Sequence, residues 1–162
     1  MLLVKSFAMA PWLLVTVLIV ALDQGSKWLA EAVLAPYDSV ALVPGLNLTL
    51  MYNEGAAFSF LADAGGWQRW LFAGFALVMT VVLVVWLLRL DSRERVMAAA
   101  LALVAGGAVG NLIDRVATGR VVDFIDVYVM DWHWPAFNVA DSAITVGVAL
   151  LLLMSFRGEF AR

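Results

Sequence analysis

GGAVGNLIDRVATGRVVDFIDVYVMDWHWPAFNVAD, residues 106–141, sets Asn111, Asp114, Arg115, Asp123, Asn138 and Asp141 between two stretches apolar enough to cross a bilayer. Polar groups beside hydrocarbon are costly unless each finds a partner. The cluster is therefore either satisfied against itself at a membrane boundary or at work there on a ligand. Either reading makes the flanking stretches membrane spans.

Working outward, the whole chain agrees. Apolar residues make up 64% of its 162 positions and the mean hydropathy is +0.94, where soluble domains carry roughly 45–50% apolar content. We expect one integral membrane domain over 1–162, with spans near 7–28, 70–88, 96–113 and 138–156. The first apolar run is read as a retained span rather than a signal peptide, because the small-x-small site Ala30-Glu31-Ala32 lies well past it, behind Asp23 and Lys27. The third span, with Ala98 to Ala100 at its start and Gly106, Gly107 and Gly110 near its end, lets other helices approach closely and belongs at the centre of the bundle.

Charge excludes some functions and orients the chain. A net charge of −3 offers no basic face for nucleic acid, so none is expected as a partner. Without cysteine, and with His133 as the one histidine, no metal or other cofactor is expected; His133 in WHWP reads as a boundary residue among interfacial tryptophans. Six of the ten Lys and Arg residues fall in the amino-terminal tail, the 89–95 link and the carboxyl tail, and four in the loops 36–68 and 114–137 or beside them. Both termini are thus predicted to be cytoplasmic and both larger loops extracytoplasmic.

Within the first loop, Val40 to Phe60 reads as short strands, with Leu46, Leu48 and Leu50 on one face, Asn47, Thr49 and Met51 on the other, and a turn at Asn53-Glu54-Gly55. In VVDFIDVY the same two-residue period groups Asp123 with Val121, Ile125 and Val127. It sends Asp126 to the opposite side, where a solvated position is expected. Asp23 and Lys27, four apart on one helical face, read as a helix-end pair with Lys27 snorkelling to the interface.

Asn138 and Asp141, three apart at the start of the last span, have the spacing of a helix cap. A cap alone explains them. Asp123, however, is an acid on an apolar face, and if it meets Asp141 the two carboxylates share a proton in the manner of an aspartic protease, one activating water while the other protonates the carbonyl oxygen. A Ser/Lys mechanism is the weaker alternative, since Ser26 and Lys27 diverge on a helix and Lys27 would have to meet Ser59 or Ser142. Acids within a membrane also suit a small proton-coupled carrier, and the 40–60 sheet suits an assembly factor that docks partners.

Read together, Asp23-Gln24 with Lys27, NEGAAFSF from Asn53, GGAVGNLIDR from Gly106, VVDF from Val121 and FNVADS from Phe137 resemble the lipoprotein signal peptidases, the signal peptidase II family. The resemblance covers nearly the whole chain. It implies a mainly α membrane protein, a four-transmembrane-helix bundle with a small extracytoplasmic β-sheet and a short surface helix in the first large loop. It further implies an aspartic endopeptidase of the bacterial cytoplasmic (inner) membrane, with its active site at the outer (periplasmic) face. Its substrates would be diacylglyceryl prolipoproteins, cut just before the lipidated cysteine; its other partners would be membrane lipids and the inhibitor globomycin. Asp123 and Asp141 match the family's catalytic pair. Asn53, Asn111, Arg115 and Asn138 match positions around that pair, and Asp23, Lys27 and Asp114 match supporting polar positions. Taken by itself, Arg115 reads as the ion-pair partner of the adjacent Asp114.

Overall fold

The computed structural model describes residues 9–55 and 65–157. Four helices carry the membrane: α1 (Pro11–Val33), α2 (Trp67–Arg89), α3 (Arg95–Ala117) and α4 (Val139–Phe156), each long and apolar enough to cross it. α2 and α3 extend a few residues past the stretches that hydropathy marks out. The polar residues Asp23, Lys27, Asn111 and Asp114 are buried inside the bundle, and helix continues through them. Pro36 then disfavours helix at the residue before it, just beyond the α1 terminus.

α3 is the central helix. It touches α1, α2 and α4, and more than half of its most apolar window is buried against them. Its glycines make this possible: a Cβ at Gly106 would strike Ile19 of α1, and one at Gly107 would strike Ala140 and Ile144 of α4. The expectation drawn from the small residues therefore holds.

Between helices, β1 (Ser39–Val43), β2 (Leu46–Asn53), β3 (Val121–Val129) and β4 (Trp132–His133) form one antiparallel sheet in the order β1-β2-β3-β4. Gly45, at φ +89°, makes the tight β1–β2 turn that a side chain would strain. The turn expected at Asn53-Glu54-Gly55 ends β2, with Asn53 Oδ1 accepting from the Gly55 amide at 3.0 Å. The short surface helix expected in the 36–68 loop does not occur among its described residues, and the rest of that loop, 56–64, lies outside them.

Along α1 the interior falls into three layers. Trp12, Leu13 and Val15 join an apolar core with Leu83, Leu87, Met97, Leu101 and Ala105. Asp23 and Lys27 form a polar layer with α3. Beyond them Ala30 and Leu34 pack with Leu50, Val122 and Phe124, which seats the sheet on the end of α1. The amide of Ala140 donates to Asp23 Oδ1 at 2.9 Å, so the start of α4 lies level with Asp23. With 18 residues α4 is about 27 Å long at 1.5 Å per residue, close to the ~30 Å of hydrocarbon. The ten residues of α1 beyond Asp23, about 15 Å of helix, therefore extend past the start of α4 and carry the sheet with them.

Candidate active site

The site lies where β2, β3, α3 and α4 meet. β3 delivers Asp123, buried at 3% exposure, and the first turn of α4 delivers Asp141. Both line a cavity of about 630 Å³ together with the polar Asn53, Asn111 and Arg115 and the apolar Val121, Trp134, Phe137, Ile144 and Val146. Asp123 and Asp141 thus share one cavity.

Three asparagines hold the two acids, and each has its amide orientation fixed by a backbone amide or an ammonium group that donates to its oxygen. Asn138 caps α4 by accepting from the Asp141 amide at 2.9 Å on Oδ1, so its Nδ2 must face the other way, where it donates to Asp123 Oδ1 at 2.7 Å. Asn53 accepts from Gly55 and therefore turns its Nδ2 toward Asp123 Oδ2, at 3.3 Å. Asn111 accepts from the Lys27 ammonium at 3.1 Å, which aims its Nδ2 at Asp141 Oδ1, at 2.7 Å. Asp123 thus accepts on both oxygens. Asp141 accepts from Asn111 on Oδ1 and is also approached by the backbone amide of Asn138.

Lys27 does not snorkel, contrary to expectation. It is 3% exposed and pairs with Asp23 at 2.7 Å and Asp114 at 2.8 Å. A buried ammonium needs such company, because leaving either partner out would strand a charge. Gln24 donates to Asp114 Oδ1 at 2.8 Å and closes the network. A Cβ at Gly110 would fall 2.5 Å from Asp23 Oδ2, so that glycine makes room for a carboxylate as well as for a helix.

Asp114 is consequently not the partner of Arg115. It turns to Lys27 and to the Val122 amide, while Arg115 faces the cavity and donates to the carbonyls of Gly55 and Asn111 at 3.3 Å each. Adjacent residues on a helix point about 100° apart, which is why sequence neighbours do not pair here. The Ser/Lys alternative loses its ground too, since Lys27 is held in the carboxylate network and Ser142 Oγ donates to the Asn138 carbonyl; Ser59 lies outside the described residues. Of the acids, Asp123 and Asp141 line the cavity, while Asp23 and Asp114 are held by Lys27.

Asp126 corrects a further expectation. It is 4% exposed rather than solvated, with Asn47 and Thr49 donating to Oδ2 and His133 Nδ1 2.7 Å from Oδ1. Period-two reading assigned its face correctly but could not show that β2 and β4 set three donors on that face. Burial raises its pKa, but the hydrogen bonds from His133, Asn47 and Thr49 outweigh this and hold it below the usual carboxylate value. The Asp123 carboxyl moves the opposite way, to about 7, first through burial and then through the nearby charge of Asp141, against the smaller lowering effects of Asn53, Asn138 and Lys27.

Sequence reasoning missed the apolar wall of the cavity. Trp134 to Phe137 form it directly before Asn138, and no local pattern distinguishes a cavity wall from an interfacial loop.

Three comparisons bear on this site. A family model described as signal peptidase (SPase) II matches residues 15–157. The lipoprotein signal peptidase of Pseudomonas paraeruginosa is 56% identical over 158 residues, covering 96% of this chain and 94% of its own. That of Acinetobacter baylyi is 50% identical over 145 residues, covering 90% and 81%. Among solved structures, a bacterial membrane enzyme determined in meso at 2.3 Å superposes with a TM-score of 0.82 at 33% identity, over 91% of this chain and 88% of the other.

Proposed function

The chain belongs to the signal peptidase II family, a membrane aspartyl peptidase of prolipoproteins, and on that premise we propose that Asp123 and Asp141 activate the water that cuts the signal peptide. The observation that carries this assignment is Asn138. One side chain caps the helix bearing Asp141 and donates to Asp123, so the two acids are held in a fixed mutual position by the same amide.

The two acids share the labour. Two like charges in one buried site cannot both persist cheaply, so the pair keeps one proton up to about neutral pH. One acid, as the carboxylate, takes a proton from water as the water oxygen attacks the scissile carbonyl. The other gives its proton to the carbonyl oxygen, and the tetrahedral intermediate then collapses as the proton taken from water reaches the leaving amine.

Arg115 lies beside both acids and holds the substrate backbone through a carbonyl. Asn53 and Asn111 position the acids, and Asp23, Lys27 and Asp114 hold Asn111 from behind. The apolar side chains lining the cavity receive the acyl chains of a diacylglyceryl cysteine, and the family's inhibitor globomycin competes for the same space. Because the start of α4 lies at the hydrocarbon edge, the substrate enters laterally from the bilayer on the outer, periplasmic side, with both termini of the enzyme cytoplasmic.

The test is cleavage of a synthetic prolipoprotein peptide by the purified protein in detergent with EDTA. The lipidated peptide should be cut before its cysteine and the unlipidated one should not. Asp123→Asn and Asp141→Asn should each lower turnover about 10³-fold or more, the scale of general acid–base catalysis, while still binding globomycin. Normal turnover by either variant would overturn the pair.

A further inference from the structure

Asp126 and His133 take no part in the chemistry, yet they sit at the root of the cavity wall. The wall, Trp134 to Phe137, has no regular structure of its own and is hydrogen-bonded to β3 at both ends. At the far end the Phe137 carbonyl accepts from Phe124 and Ile125, and its amide donates to Ile125. At the near end the Trp134 amide donates to the Val127 carbonyl at 2.8 Å, continuing a two-residue strand, β4, whose residues are both exposed. So short a strand is marginal by itself.

What reinforces it is the 2.7 Å bond between His133 Nδ1 and Asp126 Oδ1. The other carboxylate oxygen is held by Asn47 and Thr49 of β2, and the His133 ring stacks on Tyr128 at 5.2 Å between centroids. The carboxylate thereby ties β4 to β2 across β3. Because it can only accept, Nδ1 must carry the hydrogen, in the neutral ring as in the charged one.

We propose that Asp126 and His133 are a positioning pair: they fix the Trp134–Phe137 wall of the substrate cavity and so set substrate affinity without touching the reaction. The acids are held separately, by Asn53, Asn111 and Asn138, so loss of the pair changes KM and spares kcat. The consequence for KM rests on the peptidase reading above. The holding of the wall does not.

The experiment compares the full-length wild type with His133→Ala and His133→Asn, whose amide nitrogen takes the place of Nδ1 without a charge. With the lipidated peptide, His133→Ala should raise KM about fivefold, the factor matching one net hydrogen bond of typical strength, with kcat within about twofold. His133→Asn should restore KM. Hydrogen exchange gives a readout that needs no substrate: the Trp134 amide should exchange faster in His133→Ala and return to the wild-type rate in His133→Asn. An unchanged KM in His133→Ala while the wild type cleaves, or a fall confined to kcat, overturns the effect on affinity. Unchanged exchange at Trp134 overturns the clasp itself. Failure of the wild type to cleave would instead sink the peptidase reading, and the exchange rates would still decide the clasp.

Discussion

Asp123 is the residue whose chemistry the surroundings change most. Its carboxyl moves from 3.8 to about 7, with burial the larger cause and the charge of Asp141 the next. A raised acid binds its proton more tightly folded than unfolded, so between about pH 4 and pH 7 the native state holds a proton that the unfolded chain has released. Stability contributed by that proton is present at the acid end of this window and is lost as pH rises through it. The melting temperature of the detergent-solubilised protein should therefore fall from pH 4 toward pH 7 and then level. Asp123→Asn, with nothing to titrate, should flatten the slope, and equal slopes in the two proteins would contradict the assignment. Turnover should decline above about pH 7 for the related reason that the pair has then lost the proton it donates.

At the scale of elements, α3 shows where close approach replaces side-chain packing. Gly107 faces the Ala140 carbonyl and the Ile144 side chain of α4, Gly110 faces the Asp23 carboxylate, and Gly25 of α1 has nothing within 4 Å of an added Cβ. Gly107→Ala and Gly110→Ala should each destabilise by about 1–3 kcal/mol through overpacking. Gly25→Ala should be neutral or slightly stabilising, as a helix-interior glycine replaced without a clash. Thermal unfolding of the three variants in one detergent separates them, and a Gly110→Ala protein as stable as Gly25→Ala would show that the Asp23 site tolerates a methyl group. In Gly110→Ala, activity should fall with stability, since Asp23 is one of two anions that place Lys27 under Asn111.

These elements were largely legible in the sequence, and the reason is that their signals are local. Nineteen uncharged residues from Trp70 to Leu88 announce a span, and alternation around Leu46 to Leu50 announces a strand, whatever lies elsewhere in the chain. The positions of Asp123 and Asp141 were legible for another reason, an acid on an apolar strand face and an acid at a helix entrance. The local pair Asp23–Lys27 was legible from its spacing, but distant partners were not. Lys27 meets Asp114 across 87 residues, and Asp126 meets Thr49 across 77. A pattern that gives the face of a residue says nothing of what stands opposite, and so Lys27 was expected at the interface and Asp126 in water.

For the whole molecule, the distribution of cations becomes an argument about orientation once their contacts are known. On the side of the site, Lys27 neutralises buried acids, Arg69 donates to the carbonyls of Arg115 and Val116 at the end of α3, Arg115 faces the cavity, and Arg120 lies 3.7 Å over the Tyr52 ring. Each has work inside the fold. On the other side, Arg89, Arg93 and Arg95 crowd the short link between α2 and α3, where a cytoplasmic location accounts for them. The absence of cysteine makes this directly measurable, because a single introduced thiol is the only one to react. Ala41 on the exposed edge strand and Ser92 in the exposed link lie at opposite ends of the bundle. In spheroplasts, a membrane-impermeant maleimide should label Ala41→Cys at once and Ser92→Cys only after lysis. Labelling in the reverse order would place the paired acids on the cytoplasmic side and remove them from any substrate that has crossed the membrane.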